Sequence, residues 1–184
     1  MSCINSKQSE KDAIKMSAAL MAASARTAPK AAGIDNVKSL ILDGDDLQGL
    51  ADAMERKAEE KPSLSETFIR DAKNLRNSSS VLLIGVAGNS KIILDCGACG
   101  YPSCEQFGKV RKRMKDFEGP NCMLQLIDLG IALGSAVKMA SELNSDNRIM
   151  YTIGAAAKKI GLLDSDVIFG IPISTTGKSP YFDR

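Results

Sequence analysis

The chain contains no histidine and no tryptophan, and aromatic residues make up only 4% of it. The missing histidine removes the commonest general base and the commonest zinc ligand, together with every Ser–His or Cys–His nucleophilic pair. Chemistry must therefore come from cysteine, carboxylates, lysine, arginine or a bound cofactor. Charge of one sign is lacking too: the formal net charge is +2, which gives no reason to expect a nucleic-acid partner. Low-complexity tracts and internal repeats are absent. No uninterrupted apolar run is long enough to span a membrane. The longest apolar helix candidate, about Met123 to Leu143, is broken by Gln125, Asp128, Lys138 and Glu142, where a span needs about 18 or more apolar residues. The opening MSCINSKQSEKDAIK lacks the apolar core of a signal peptide, so the expected location is the cytoplasm.

What remains is an ordinary globular composition, 44% hydrophobic and 25% charged over 184 residues. That length suits a single domain, residues 1–184, with a core that needs no disulfide staples. The pattern predicts a first helix from about Ser9, acting as N-cap, to Ala25, and a strand over Val37–Leu42. A second helix is expected over Asp45–Lys61, where Leu47, Leu50, Ala51, Met54 and Ala58 share a face. A third carries Leu64, Phe68, Ala72 and Leu75. Val81–Val86 is a continuous apolar strand, as expected when both sheet faces are covered. Lys91–Leu94 leads into the cysteines. Helices follow at about Cys104–Lys115, Cys122–Leu143 and Asp146–Ile160, then a last strand, Asp166–Ile171, ending at Pro172. Strands alternating with helices indicate an α+β or α/β layer structure around a central sheet.

Four of the five cysteines fall at Cys96, Cys99, Cys104 and Cys122, a C-x2-C-x4-C-x17-C spacing. Three close thiols on a loop can wrap one side of a [4Fe-4S] cluster, and a distant fourth can close the other. Gly97 and Gly100 allow tight turns, Pro102 stiffens the loop, and Gly119-Pro120 delivers Cys122 to a helix N-terminus, where the dipole favours a thiolate. A four-cysteine zinc site is the alternative, although zinc frameworks usually show two C-x2-C knuckles and only one is present. A disulfide framework would need an oxidising compartment. Cys3 lies apart from the set. Lys109, Arg111, Lys112, Arg113 and Lys115 form a basic run beside Cys104, read as a solvated face balancing the cluster or as a docking patch for an acidic redox partner such as a ferredoxin. Asp95 and Glu105 flank the ligands. Ile173–Ser179 is not a phosphate loop, because Pro172 stands where the first glycine belongs and no helix can follow.

The stretch DCGACGYPSCEQF with GPNC resembles the four-iron-four-sulfur domain of the B subunit of Rnf-type electron-transport complexes and of the large subunit of the corrinoid iron–sulfur protein. Cys96, Cys99, Cys104 and Cys122 match its ligands, and Gly97, Gly100 and Pro102 match its turn residues. The last gap is one residue longer here, and a proline precedes the fourth cysteine rather than following it. Residues 95–122 are thus the expected cluster-binding segment.

Ala22-Ala-Ser-Ala-Arg26-Thr-Ala-Pro29, Leu129–Ser135, Ile160–Leu163 and Val167–Pro172 resemble, in order, elements of the flavin-dependent nitroreductases. That resemblance implies a nitroreductase-like α+β fold with a central mixed sheet flanked by helices, a homodimer, and FMN at its interface. It implies flavin contacts at Arg26, Thr27, Lys30, Lys178 and Arg184. The family's opening arginine pair and its Asn-Gln-Pro-Trp stretch have no counterpart; Gly33-Ile-Asp-Asn36 stands at the latter. Scaffold and cluster loop together are similar to an uncharacterised family of ferredoxin-domain proteins of anaerobic prokaryotes. The implied function is electron transfer through a [4Fe-4S] cluster, to a flavin or to a partner protein. An enzyme of this kind would be a flavin-dependent oxidoreductase. The alternative is a non-catalytic protein whose cluster or zinc is structural or acts as a sensor.

Overall fold

The computed structural model describes residues 3–89 and 92–182. The strand expected to begin at Lys91 starts outside that set, and residues 92–97 are irregular.

Helix α1 spans Ser6–Thr27. It begins earlier than Ser9 because Asn5 is the better cap: its side-chain oxygen accepts the Gln8 N–H at 3.0 Å. Strand β1 (Val37–Asp43) leads through Gly44 into α2 (Asp45–Glu60), whose first turn carries Asp45 and Asp46 at the positive end of the helix dipole. Pro62 opens a short 3-10 turn, and α3 (Ser65–Arg76) runs into β2 (Ser80–Val86). After the cysteine loop come β5 (Asp146–Asn147), α6 (Tyr151–Lys159) and β6 (Val167–Ser174). The loop itself carries α4 (Cys104–Gly108) and a hairpin, β3 (Arg113–Met114) with β4 (Glu118–Gly119), and leads into α5 (Met123–Glu142).

Two expected helices are shorter than the pattern suggested. The basic helix stops at Gly108, a residue that costs helix stability, and Arg113 pairs with Gly119 in the hairpin. Asp146 and Asn147 pair with Ser174 and Ile173 instead of opening α6.

The four-stranded sheet has the order β1-β2-β6-β5, and every pairing is antiparallel. The expected mixed sheet is therefore antiparallel throughout the described residues. Between β1 and β2 the chain makes two helices, not one. A single helix would carry it back to where β1 began; the second returns it to where β1 ended, so β2 runs the other way.

Helices cover both faces. Leu42, Val81, Leu83 and Ile168 point into a core with α2, α3 and α6, while Val37, Leu82, Ile84, Val86, Ile171 and Ile173 point into a second core with α1 and α5. All seven residues of β2 are buried, which explains its unbroken apolar run. Strand β6 passes through Pro172, which lies opposite Val81. The Gly170 N–H bonds Met150 on the far side. By the two-residue alternation, the missing Pro172 donor also faces that sparsely paired side, where a strand tolerates proline.

Helix α5 is long and apolar enough, by length and composition, to cross a membrane. In this fold its Leu129, Ala132, Leu133, Ala136 and Ala140 are buried against α1 and the sheet. One of its polar interruptions is structural as well: the Asp128 carboxylate accepts the Ala31 N–H at 2.9 Å.

Helix α6 lies directly on β6. A methyl group on Gly154 would overlap the Ile168 carbonyl and come within 2.8 Å of the Phe169 Cα. Two serines, Ser17 and Ser145, join α1 to the chain beyond α5 at 3.0 Å.

Candidate metal centre

The chain leaves β2 at Val86, returns to the body of the protein through the hairpin at Asp116 and Glu118 and enters α5 just after Cys122. The base of this excursion is sewn by the Cys122 N–H, which donates to the Gly88 carbonyl at 3.1 Å. The Asn121 side chain packs so tightly there that a methyl on Gly88 would come within 2.7 Å of the Asn121 Cβ. Asp166, just before β6, holds the other side: its carboxylate accepts the Gly88 N–H at 2.6 Å and pairs with Lys112.

Within the excursion, local hydrogen bonds set each thiol. Asp95 has φ 47°, a left-handed conformation that Asp tolerates, and its carboxylate accepts the Cys104 N–H at 2.7 Å. Ser103 caps the short α4 through the Gln106 N–H at 3.2 Å. Gly97 and Gly100 have φ 70° and 86°, and the Gly100 N–H closes the turn on the Gly97 carbonyl at 2.9 Å. Cys104 Sγ donates to the Ile92 carbonyl at 3.3 Å. Tyr101 and Phe107 pack with their ring centroids 5.6 Å apart.

The result is one pocket lined by Cys96, Cys99, Cys104 and Cys122, with Ile92, Leu94, Tyr101, Phe107, Met123 and Leu124 among the other walls. Cys122 is buried at 7% exposure, Cys99 and Cys104 are half-buried, and Cys96 is exposed. Among the described residues no charged side chain lines it. Among the described residues no three His, Cys, Asp or Glu side chains converge as they would on a single ion. Four soft sulfur donors around an apolar cavity are the donor set of an iron–sulfur cluster rather than of a hard cation.

The residues read as flavin contacts are not gathered within one chain. Arg26 pairs with Asp35 at 2.8 Å and lines a hollow with Val37, Lys38 and Leu163. Thr27 bonds back to the Ser24 carbonyl, and Lys30 donates to the Arg26 and Ala28 carbonyls. Lys178 lies in a different pocket, and Arg184 is outside the described residues. Residues 175–182 form no helix, in keeping with the rejection of a phosphate loop. In the basic run, Lys109 pairs with Glu105 at 2.5 Å and Lys112 with Asp166, while Arg111, Arg113 and Lys115 are exposed.

Sequence reasoning missed a charged knot beside the hairpin. Lys57 Nζ lies 2.8 Å from the Asp116 carboxylate, which Lys61 and the Tyr151 hydroxyl also reach. Tyr151, Phe117 and Phe169 pack around it, with ring centroids 5.3 to 6.3 Å apart. A signal existed: Lys57 falls on the buried stripe of α2, three residues after Met54. Burial alone would push the Asp116 carboxyl up, but the hydrogen bonds from Lys57, Lys61 and Tyr151 outweigh it and hold the group well below the usual carboxylate range. An Asp whose folded value is depressed contributes stability that is full above its ordinary value of about 3.9 and fades as pH falls through the folded value. Asp116→Asn is expected to cost about 2 kcal/mol at pH 7, because it leaves Lys57 buried without its partner. Urea unfolding at pH 7 and pH 3 checks this: the gap from the parent protein narrows at pH 3.

Residues 118–184 match the family described as "Uncharacterized protein containing a ferredoxin domain (DUF2148)", a stretch that includes Cys122. A protein of Archaeoglobus fulgidus, described as uncharacterized, is 48% identical over 181 residues, covering 98% of this chain and 97% of its own. Among solved structures, the nitroreductase CinD from Lactococcus lactis superposes with a TM-score of 0.58 at 16% identity, over 89% of this chain and 79% of its own. NfrA1 of B. megaterium superposes at 0.55 and 12% identity over 89% of this chain, which spans only 59% of NfrA1. The fold is nitroreductase-like.

Proposed function

Since the chain belongs to the family of uncharacterized proteins containing a ferredoxin domain, we propose that it is an electron-transfer protein whose Cys96, Cys99, Cys104 and Cys122 hold one [4Fe-4S] cluster. The observation that carries this reading is that all four cysteines line one apolar pocket. When bound, such a cluster supplies single-electron transfer at a potential set by its surroundings. The chain's own contribution is to arrange and shield the thiols. The buried Ile92 and Phe107 give the pocket its apolar inner wall. Asp95 fixes the Cys104 backbone, and the Gly88 carbonyl fixes that of Cys122.

The nitroreductase-like fold supports a homodimer with FMN at its interface, with Arg26, Thr27, Lys30 and Arg184 as the contacts that the resemblance offers it. An enzyme built this way is a flavin-dependent oxidoreductase. Exposed Arg111, Arg113 and Lys115 form the docking patch for an acidic redox partner such as a ferredoxin. All five cysteines are free thiols, which accords with a reducing, cytoplasmic setting.

The test is cofactor analysis of anaerobically purified protein. About four irons and four acid-labile sulfides per chain are expected. Stoichiometric zinc without sulfide would overturn the cluster, and the flavin content decides whether FMN accompanies it.

A further inference from the structure

A second polar site lies at the opposite end of α3 from its turn with α2, and it makes no contact with the cysteine pocket. Arg70, Lys73, Asn74 and Asn77 recur along one side of α3 at steps of three and four residues, so they form a single row. Arg148, from the segment between β5 and α6, and Lys178, from the tail beyond β6, complete a pocket with Ser179, Tyr181 and Phe182. Three segments distant in sequence thus bring four cations to one hollow.

The tail that supplies Lys178 is anchored. Tyr181 is 3% exposed, and its hydroxyl meets Ser78 Oγ at 2.8 Å. The Thr176 hydroxyl donates to the Lys178 carbonyl at 2.6 Å, and Arg148 donates to the Tyr181 carbonyl at 3.3 Å while lying over the Phe182 ring, 5.3 Å from its centroid.

Of the four cations, Arg70 is paired, with Asp71 at 2.8 Å. Asp71, 3% exposed beneath the row, is shared between Arg70 and the Thr152 hydroxyl. Asp146 approaches Tyr181 from β5. Among the described residues no carboxylate lines the hollow, and neither Lys73 nor Lys178 forms an ion pair. Two ammonium groups, two amides and the guanidinium donors that Arg70 and Arg148 do not spend on Asp71 and the Tyr181 carbonyl suit a compact group with double negative charge and several acceptor oxygens.

We infer that this hollow binds the phosphoryl group of a small organic phosphate. The inference is independent of the cluster and reassigns Lys178 to this pocket.

The test titrates pyrophosphate, AMP and FMN into the full chain by calorimetry at low ionic strength. Pyrophosphate is expected to bind at one site per chain, and Lys73→Ala combined with Lys178→Ala to weaken it at least about tenfold, since two charge-assisted contacts are lost. Lys11→Ala, a remote exposed lysine on α1, leaves binding unchanged. The same double variant is expected to weaken AMP as it weakens pyrophosphate. Equal binding by the double variant, or no binding of any probe, overturns the site. Both lysines lie on the surface and their loss leaves the iron content intact, so failure here is separable from failure of the cluster.

Discussion

An anaerobically prepared Cys122→Ser chain is expected to retain at most about a tenth of the parent protein's iron and sulfide, a loss at least as large as that seen when supporting groups around a metal are removed. The same preparation should keep its far-ultraviolet circular dichroism. The two expectations are compatible because the pocket walls themselves lie outside both hydrophobic cores, the loop touching them through Phe117 on the hairpin. Ile92, Phe107 and Cys122 are buried, yet none belongs to either core cluster. Cys122 is the most demanding position to test, since its backbone closes the loop against Gly88 while its sulfur faces the pocket. Serine preserves the backbone contact and removes only the soft donor. Cys3→Ser, in the exposed N-terminal stretch, is the matched control and should hold the full complement. Iron retained at the parent level in Cys122→Ser would remove this thiol from the ligand set.

The largest stability effect is expected at a glycine. Gly154→Ala should lower unfolding free energy by about 3 kcal/mol or more, read as a fall in the urea midpoint. The added methyl meets the backbone of β6 at Ile168 and Phe169, and a strand paired on both edges cannot retreat without breaking its ladder. Gly170 shows the same closeness from the strand side, where a methyl would overlap the Ile153 side chain. Gly134→Ala on α5 is the contrast. Nothing lies within 4 Å of the position a methyl would take, so alanine should raise stability by about 0.5–1 kcal/mol through helix propensity alone. Equal behaviour of the two variants would mean that α6 does not rest on β6 as closely as described.

Much of this architecture could be read from residue patterns, and the misses have identifiable causes. The apolar stripe of α2 and the unbroken run of β2 were legible because each repeats over several residues and burial enforces the period. The sheet's antiparallel sense was not, because it depends on how many helices intervene between strands, and no local pattern reports direction. The expected basic helix failed at Gly108, where a weak helix former meets residues that pair instead in a hairpin. Asp146 and Asn147 resemble a helix start, yet two strand pairings with β6 prevail over local preference. The four cysteines were visible as a set because their spacing carries the chemistry. The Lys57–Asp116–Tyr151 knot and the cationic hollow were not, since their members come from segments that only the fold brings together.

One edge of the sheet has a consequence for how the protein behaves when concentrated. Strand β1 is outermost, and an uncovered outer strand offers unpaired donors and acceptors to any other chain in extended form. Here that edge carries ammonium and carboxylate groups: Lys38 is paired with Asp164 at 2.6 Å, and Asp43 with Lys15 at 3.1 Å. A second molecule seeking to extend the ladder would have to strip both ion pairs of water and partners. β1 is thereby guarded against edge-to-edge aggregation, and the guard weakens as salt screens those charges.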